Sequence, residues 1–304
     1  SISGYSNLSK ALETLDGFNF SVPKNIIGLT PSGDQAEFGK LFNATNAQTD
    51  PGLDDDQLKL IGKFNTSSTN VVKLSVAQFE RLQVAEIKPT GYGTNRLFKL
   101  NDSVSAIQSF VTSARSQGRD LPALGLASIE ATNKNEVLNF NAADLKYLLG
   151  QQYNGGNALV LPISSGNRIT LTDTSSALDT FVAEYATSSK VAQLAGVSQV
   201  VATGVNANTA LDQRTDISIS ELTQLNTLLN RTTNKVTFTP NLFRVVDTPA
   251  AIDAFVKSLA STSGATQKRF DLTLVNSFAA GTSASNQPYF PEITTAEYQR
   301  IQNY

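Results

Sequence analysis

The stretch RITLTDTSSALDTF, residues 168–181, decides how this chain is built. Ile169 and Leu171 alternate with Thr170 and Thr172, the period-two pattern of a strand. Asp173 or Thr174 then supplies a helix N-cap. Leu178, Phe181, Val182 and Tyr185 follow at helical spacing, and the same face continues to Val191 and Leu194. Gly196 is read as the helix stop. Beyond it come a strand at 197–203, a polar loop at 204–215, a strand at 216–219 and a second helix carrying Leu222, Leu225, Leu228 and Leu229. With the apolar stretch ALVLP (158–162) placed first, the order is β-β-α-β-β-α.

The stretch is not unique. LFKLNDSVSAIQSF (97–110) and LFRVVDTPAAIDAF (242–255) carry the same alternation, the same Asp and a Phe eight places later. The pairs are Asp102/Phe110, Asp173/Phe181 and Asp247/Phe255. IIGLTPSGDQAEF (26–38) fits with Thr30 in the Asp place and Phe38 in the Phe place, so successive Phe residues lie 72, 71 and 74 apart. A second signature recurs as Ser75-Val-Ala-Gln78, Asn141-Ala-Ala-Asp144, Ser218-Ile-Ser-Glu221 and Thr294-Thr-Ala-Glu297. That is a capping box, complete in three copies and weaker at Asn141, with apolar residues following at helical spacing. Pro23, Pro89, Pro162 and Pro240 close short apolar stretches, as suits strand ends where no N–H is needed.

The expected fold is therefore α/β, as tandem β-β-α-β-β-α repeats of about 72 residues, stacked or strung as beads. Residues 1–22 read as part of a preceding repeat (helix plus strand), followed by repeats at 23–88, 89–161, 162–239 and 240–304. Neither end has a polar cap, since Leu8, Leu12, Phe18, Tyr298 and Ile301 are apolar. Either the natural chain continues in both directions or copies associate head to tail, and a heterologous contact of that kind that does not close builds a filament.

The 304-residue composition excludes whole classes of chemistry. Cys, His, Met and Trp are all absent. There is no disulfide framework, no thiolate or His metal site, no Cys nucleophile and no Ser-His-Asp triad. Net charge is −2 and charged residues make up 16%, with no basic stripe for nucleic acid and no apolar run that would span a membrane. A glycosidase needs a carboxylate pair, and none stands out. No enzymatic activity and no cofactor are expected.

One acidic run is a candidate metal site. TDPGLDDDQ (49–57) gathers Asp50, Asp54, Asp55 and Asp56, hard oxygen ligands of the kind calcium takes, though not at EF-hand spacing. The other reading is a solvated acidic turn before the strand LKLIGKF (58–64). The recurring Asp102, Asp173 and Asp247 read as helix caps rather than catalytic carboxylates, because a device that repeats is a poor unique active site.

With its capped second helices, the Asp–small–x–x–Ala–aliphatic pattern in these three stretches resembles α/β repeats of very large secreted bacterial surface proteins, adhesin-like, S-layer-like and type I-secreted. The resemblance covers nearly the whole chain. It implies an extracellular or cell-surface location and a non-enzymatic structural role, forming or spacing a surface layer, filament or adhesin stalk. The alternative is an extracellular binding module whose loops hold a glycan, a metal or a cell-surface protein.

Overall fold

A computed structural model of the chain describes residues 28–29, 63–64, 72–84, 88–89, 98–151, 168–187, 190–205, 214–229, 236–240, 242–261, 274–281, 288, 290–291 and 294–295. Among these the chain is α/β, with six α-helices and sheets of parallel strands. Contacts gather it into two compact units, Ser1–Leu138 with Tyr147–Asn167 and Asn139–Lys146 with Arg168–Tyr304. No described helix is long and apolar enough to cross a membrane.

The first unit runs β1 (Gly28–Leu29), β2 (Lys63–Phe64), β3 (Val72–Leu74), α1 (Val76–Val84), β4 (Lys88–Pro89), β5 (Phe98–Asp102), α2 (Val104–Ser116) and β6 (Leu126–Ala131). Its sheets have the orders β1-β2-β4 and β3-β5-β6. β7 (Val137–Phe140) and α3 (Ala142–Gly150) come next in the chain. The second unit continues with β8 (Arg168–Thr174), α4 (Ser175–Tyr185), β9 (Val197–Thr203), β10 (Thr215–Ile217), α5 (Ile219–Leu229), β11 (Thr237–Phe238), β12 (Phe243–Asp247), α6 (Pro249–Ser261) and β13 (Val275–Ala280). The remaining sheet orders are β7-β8-β9-β11 and β10-β12-β13.

The strands that precede α1 and α5 each pair with a strand that lies beyond that helix in the chain. β3 lies on β5 and β10 lies on β12, both parallel. Each central strand then pairs with the strand after its helix, and the register slips at one equivalent place. The slips fall between Phe98 and Lys99, Ile169 and Thr170, and Phe243 and Arg244. One extra residue is left on the partner strand, Ala127, Ser198 or Asn276, which is a bulge. At the second of these the Ser198 hydroxyl donates to the Ile169 carbonyl at 3.1 Å.

The amphipathic helices bury the residues their spacing predicts. α2 buries Ile107, Phe110, Val111 and Ala114, and α4 buries Leu178, Phe181, Val182 and Tyr185. Phe110 meets Phe79 of α1 edge-on at 5.7 Å, and Phe79 meets Phe98 of β5 at 6.0 Å. Such edge-to-face pairs add to the burial term. In the second unit Phe181 stacks on Tyr185 at 4.6 Å. Phe255 differs: it is only half-buried, while Ile252 and Val256 beside it are fully buried. Ile252 and Val256 stand where Ile107 and Val111 stand in α2, so the stripe keeps its place while the ring of Phe255 differs.

The long helix expected to reach Gly196 is two elements. α4 ends at Tyr185, the Ala186 N–H reaches the Val182 carbonyl at 2.7 Å, and a 3-10 helix spans Val191–Gly196. The Thr187 carbonyl accepts from both Lys190 and Val191. The helix ends just before Thr187, a residue type whose hydroxyl competes for backbone groups and weakens a helix interior. Val191 and Leu194 still reach the core.

Candidate functional site

Asp102, Asp173 and Asp247 end β5, β8 and β12, and each makes the same pair of bonds. One carboxylate oxygen accepts from the next backbone N–H, that of Ser103, Thr174 or Thr248, at 2.7 Å each time. The other crosses to the N-terminus of the capping-box helix lying earlier in the chain. Asp102 accepts from Val76 N–H at 2.9 Å, Asp173 from Ala142 N–H at 2.9 Å and Asp247 from Ile219 N–H at 3.2 Å. The acceptors lie 26, 31 and 28 residues beyond their donors. Each helix N-terminus has orphan N–H groups and a positive dipole end, and each meets a carboxylate there.

The helix that follows each Asp is capped by the next residue instead. The Ser103, Thr174 and Thr248 hydroxyls accept from Ala106, Ala177 and Ala251 N–H at 3.3, 3.3 and 3.2 Å. The receiving helices also close their own boxes. Ser75 and Gln78 exchange reciprocal bonds of 2.9 and 3.1 Å, and Ser218 and Glu221 bonds of 2.8 and 3.2 Å. At Asn141 the side chain accepts from Asp144 N–H at 2.7 Å. The sequence identified these Asp residues as caps but not the helix they cap, because the spacing between partners is set by tertiary placement.

A second cluster of charge lies in the second unit. Arg244 on β12 grips Asp216 on β10 in a fork, Nε to Oδ1 and Nη2 to Oδ2, both 2.6 Å. This geometry is the strong form of an ion pair, and both side chains are mostly buried. Asp179 on α4 faces this pair and receives the Asp216 backbone N–H. Burial, then the charges of Asp216 and Glu221, push its carboxyl up to about 6 against the opposing pull of Arg244. Asp179 thus lies within the field of this ion pair and of Glu221, and its carboxyl takes up a proton in mildly acidic solution. No sequence spacing announced this group, since Asp179 sits on a helix and its neighbours lie on three other elements.

Elsewhere in the first unit, Glu130 of β6 pairs with Lys99 of β5. Lys99 titrates below the usual lysine range through burial and the nearby charges of Lys73 and Lys134. Tyr147 donates to the Arg119 carbonyl at 2.6 Å, and burial drives its hydroxyl up to about 12. In the second unit Glu184 holds Lys146 at 2.5 Å and Lys190 at 3.0 Å. These two lysines keep it below the ordinary carboxylate range. Lys190 also lies 5.0 Å from the Tyr185 ring centre.

The candidate calcium ligands Asp50, Asp54, Asp55 and Asp56 lie outside the described residues. Among the described residues no group of three or more Asp or Glu is placed to hold a metal. Comparison with family models, characterised proteins and solved structures finds no match to the chain.

Proposed function

We propose that this is a non-enzymatic structural repeat protein of the cell exterior, one that forms or spaces a surface layer, filament or adhesin stalk. The repeats are the tandem units of about 72 residues read from the sequence, and copies associate head to tail. The observation that carries the reading is the threefold recurrence of one joint. Asp102, Asp173 and Asp247 each tie the start of one helix to the start of a helix in the preceding repeat. Such joints make each repeat complete only beside its neighbour, which is how a repeat array propagates. The extracellular setting rests on the resemblance and on a chain without cysteine. No cofactor is assigned. Asp50, Asp54, Asp55 and Asp56 are the place where calcium would act, and a melting curve with and without chelator tests that site, since a ligand bound only by the folded chain raises Tm.

The test is the mass of the purified chain by light scattering over a wide concentration range, with negative-stain microscopy at the upper end. The expected result is a mass that grows with concentration and end-to-end assemblies in the images. A monomer at every concentration that instead captures a glycan or protein ligand through its loops would replace this reading with that of a binding module.

A further inference from the structure

We infer that the seam between α4 and β10 is a pH-operated joint, closed in mildly acidic solution and loosened as the solution becomes neutral. The inference concerns the second unit alone and stands whether or not copies of the chain assemble. α4 follows β8, a strand of the sheet β7-β8-β9-β11, whereas β10 belongs to the sheet β10-β12-β13. The seam therefore holds one sheet against a helix that leaves another. At the start of α4 the buried Thr215 hydroxyl donates to the Ser175 carbonyl at 3.2 Å. One turn on, the Asp216 backbone N–H donates to the half-buried Asp179 carboxylate. The charged groups that face Asp179 are Asp216 of β10, Glu221 of α5 and Arg244 of β12. Arg244 already grips Asp216 through Nε and Nη2, both at 2.6 Å. Arg214, just before β10, is itself buried. Under α4, β9 carries no charged residue. β8 carries Arg168, which is exposed, and Asp173, whose oxygens accept from the Thr174 and Ala142 N–H groups.

A neutral carboxyl fits this place better than a carboxylate. Protonation leaves an oxygen to accept the Asp216 N–H and removes the repulsion from Asp216 and Glu221. The carboxyl accordingly titrates at about 6 in the closed seam, against 3.8 in water. Opening the seam returns Asp179 to water, where it gives up its proton readily. The opening equilibrium therefore rises by up to about tenfold between about pH 5 and about pH 7.5, less where salt screens the charges. Opening at a seam without loss of the whole fold is an ordinary local motion, and a titrating group that biases it makes a switch. The earlier copy of the sequence pattern lacks the pair. Asp179 stands six places after Asp173, and Asp216 two places before Ser218. The matching places around Asp102 and Asn141 hold Gln108 and Asn139, amides that do not titrate. The pattern itself thus requires no carboxylate at either place.

The test is amide hydrogen exchange on the full chain at about pH 5 and about pH 7.5, each corrected for the intrinsic chemical rate. Two neighbouring amides separate the outcomes. The Asp216 N–H bonds across the seam, while the Thr215 N–H bonds to the Leu242 carbonyl at 3.1 Å, away from α4. The expected result is an opening equilibrium at Asp216 that rises by up to about tenfold at the higher pH, with Thr215 still protected. Asp179→Asn keeps an oxygen to accept and cannot ionise, so its Asp216 amide should be protected equally at both pH values. Equal protection at both pH values in the parent, or a pH dependence that survives Asp179→Asn, overturns the proposal. Thr215 and Asp216 accelerating together also overturns it, because the sheet is then lost as a whole and no seam opens. A readout on the parent alone stands even if the variant fails to fold. The Asp179 carboxyl carbon resonance should titrate near 6, and a midpoint near 3.8 overturns the joint.

Discussion

A carboxylate bonded to two backbone N–H groups from distant parts of the chain is worth more than an ordinary cap. Each bond from an N–H to a charged acceptor contributes about 1.5–3 kcal/mol. Asp173→Ala is therefore expected to destabilise the protein by about 2 kcal/mol in denaturant titration. Asp173→Asn should cost less, since one amide oxygen remains to accept. The site of the damage is the sharper readout. Hydrogen exchange should accelerate at Ala142, 31 residues away. Thr174→Ala should instead release the Ala177 amide, at a cost of about 1 kcal/mol. Accelerated exchange confined to α4 in Asp173→Ala would show that the cross-helix bond carries no energy. Asp179 gives a different signature. Its carboxyl titrates near 6 in the folded state against 3.8 ordinarily. A raised folded-state pKa means the folded chain holds the proton more tightly. This group's stabilising contribution is thus full below pH 3.8 and lost as pH rises through 6. Asp179→Asn should flatten stability across that window and be more stable than the parent at neutral pH. A parent and variant with parallel pH profiles would contradict the assignment.

Helices and strands follow the sequence closely where a residue's role is local. Ser75 and Gln78, Ser218 and Glu221 close as boxes because their partners are three residues apart, a distance that spacing specifies by itself. The alternation in 168–172 gives β8, and the Leu178–Phe181–Val182–Tyr185 stripe gives the buried face of α4. What the sequence did not disclose was set by tertiary placement: that β3 pairs with β5 and β10 with β12 across the intervening helices, that the Asp caps a foreign helix, and that Asp179 meets the charges of Asp216, Glu221 and Arg244. The break after Tyr185 was missed for another reason, since Val191 and Leu194 are buried and so keep the helical pattern through a 3-10 turn. The repeated Phe shows how far equivalence in sequence extends. Phe38 lies outside the described residues. Phe110→Ala removes a ring that is 3% exposed and packed edge-on against Phe79, and is expected to cost about 3–5 kcal/mol. Phe255→Ala, at a half-buried position, should cost clearly less. Equal losses at the two positions in chemical denaturation would mean that α6 buries its ring in solution as α2 does. In the second unit a cavity of about 20 Å³ is lined only by apolar side chains, among them Val182, Val200, Leu225 and Phe238. It offers no polar partner to hold a water. Val182→Ile adds one methylene toward it at unchanged branching, and should stabilise by up to about 0.8 kcal/mol.

At the scale of the whole molecule the composition had already removed the thiol, imidazole and indole chemistries, and several of the described charges join one element to another. The fork of Arg244 on Asp216, the pair of Lys99 with Glu130 and the three Asp joints all link one strand or helix to another. A chain organised in this way has a thermodynamic signature if its copies add end to end. Association binds the folded form and not the unfolded one, so stability rises by about 1.4 kcal/mol for each tenfold increase in concentration once binding is well populated. For chains of this size about 1 kcal/mol moves Tm by a few degrees. The melting temperature is therefore expected to climb with protein concentration over a hundredfold range. A melting temperature independent of concentration would remove self-association altogether.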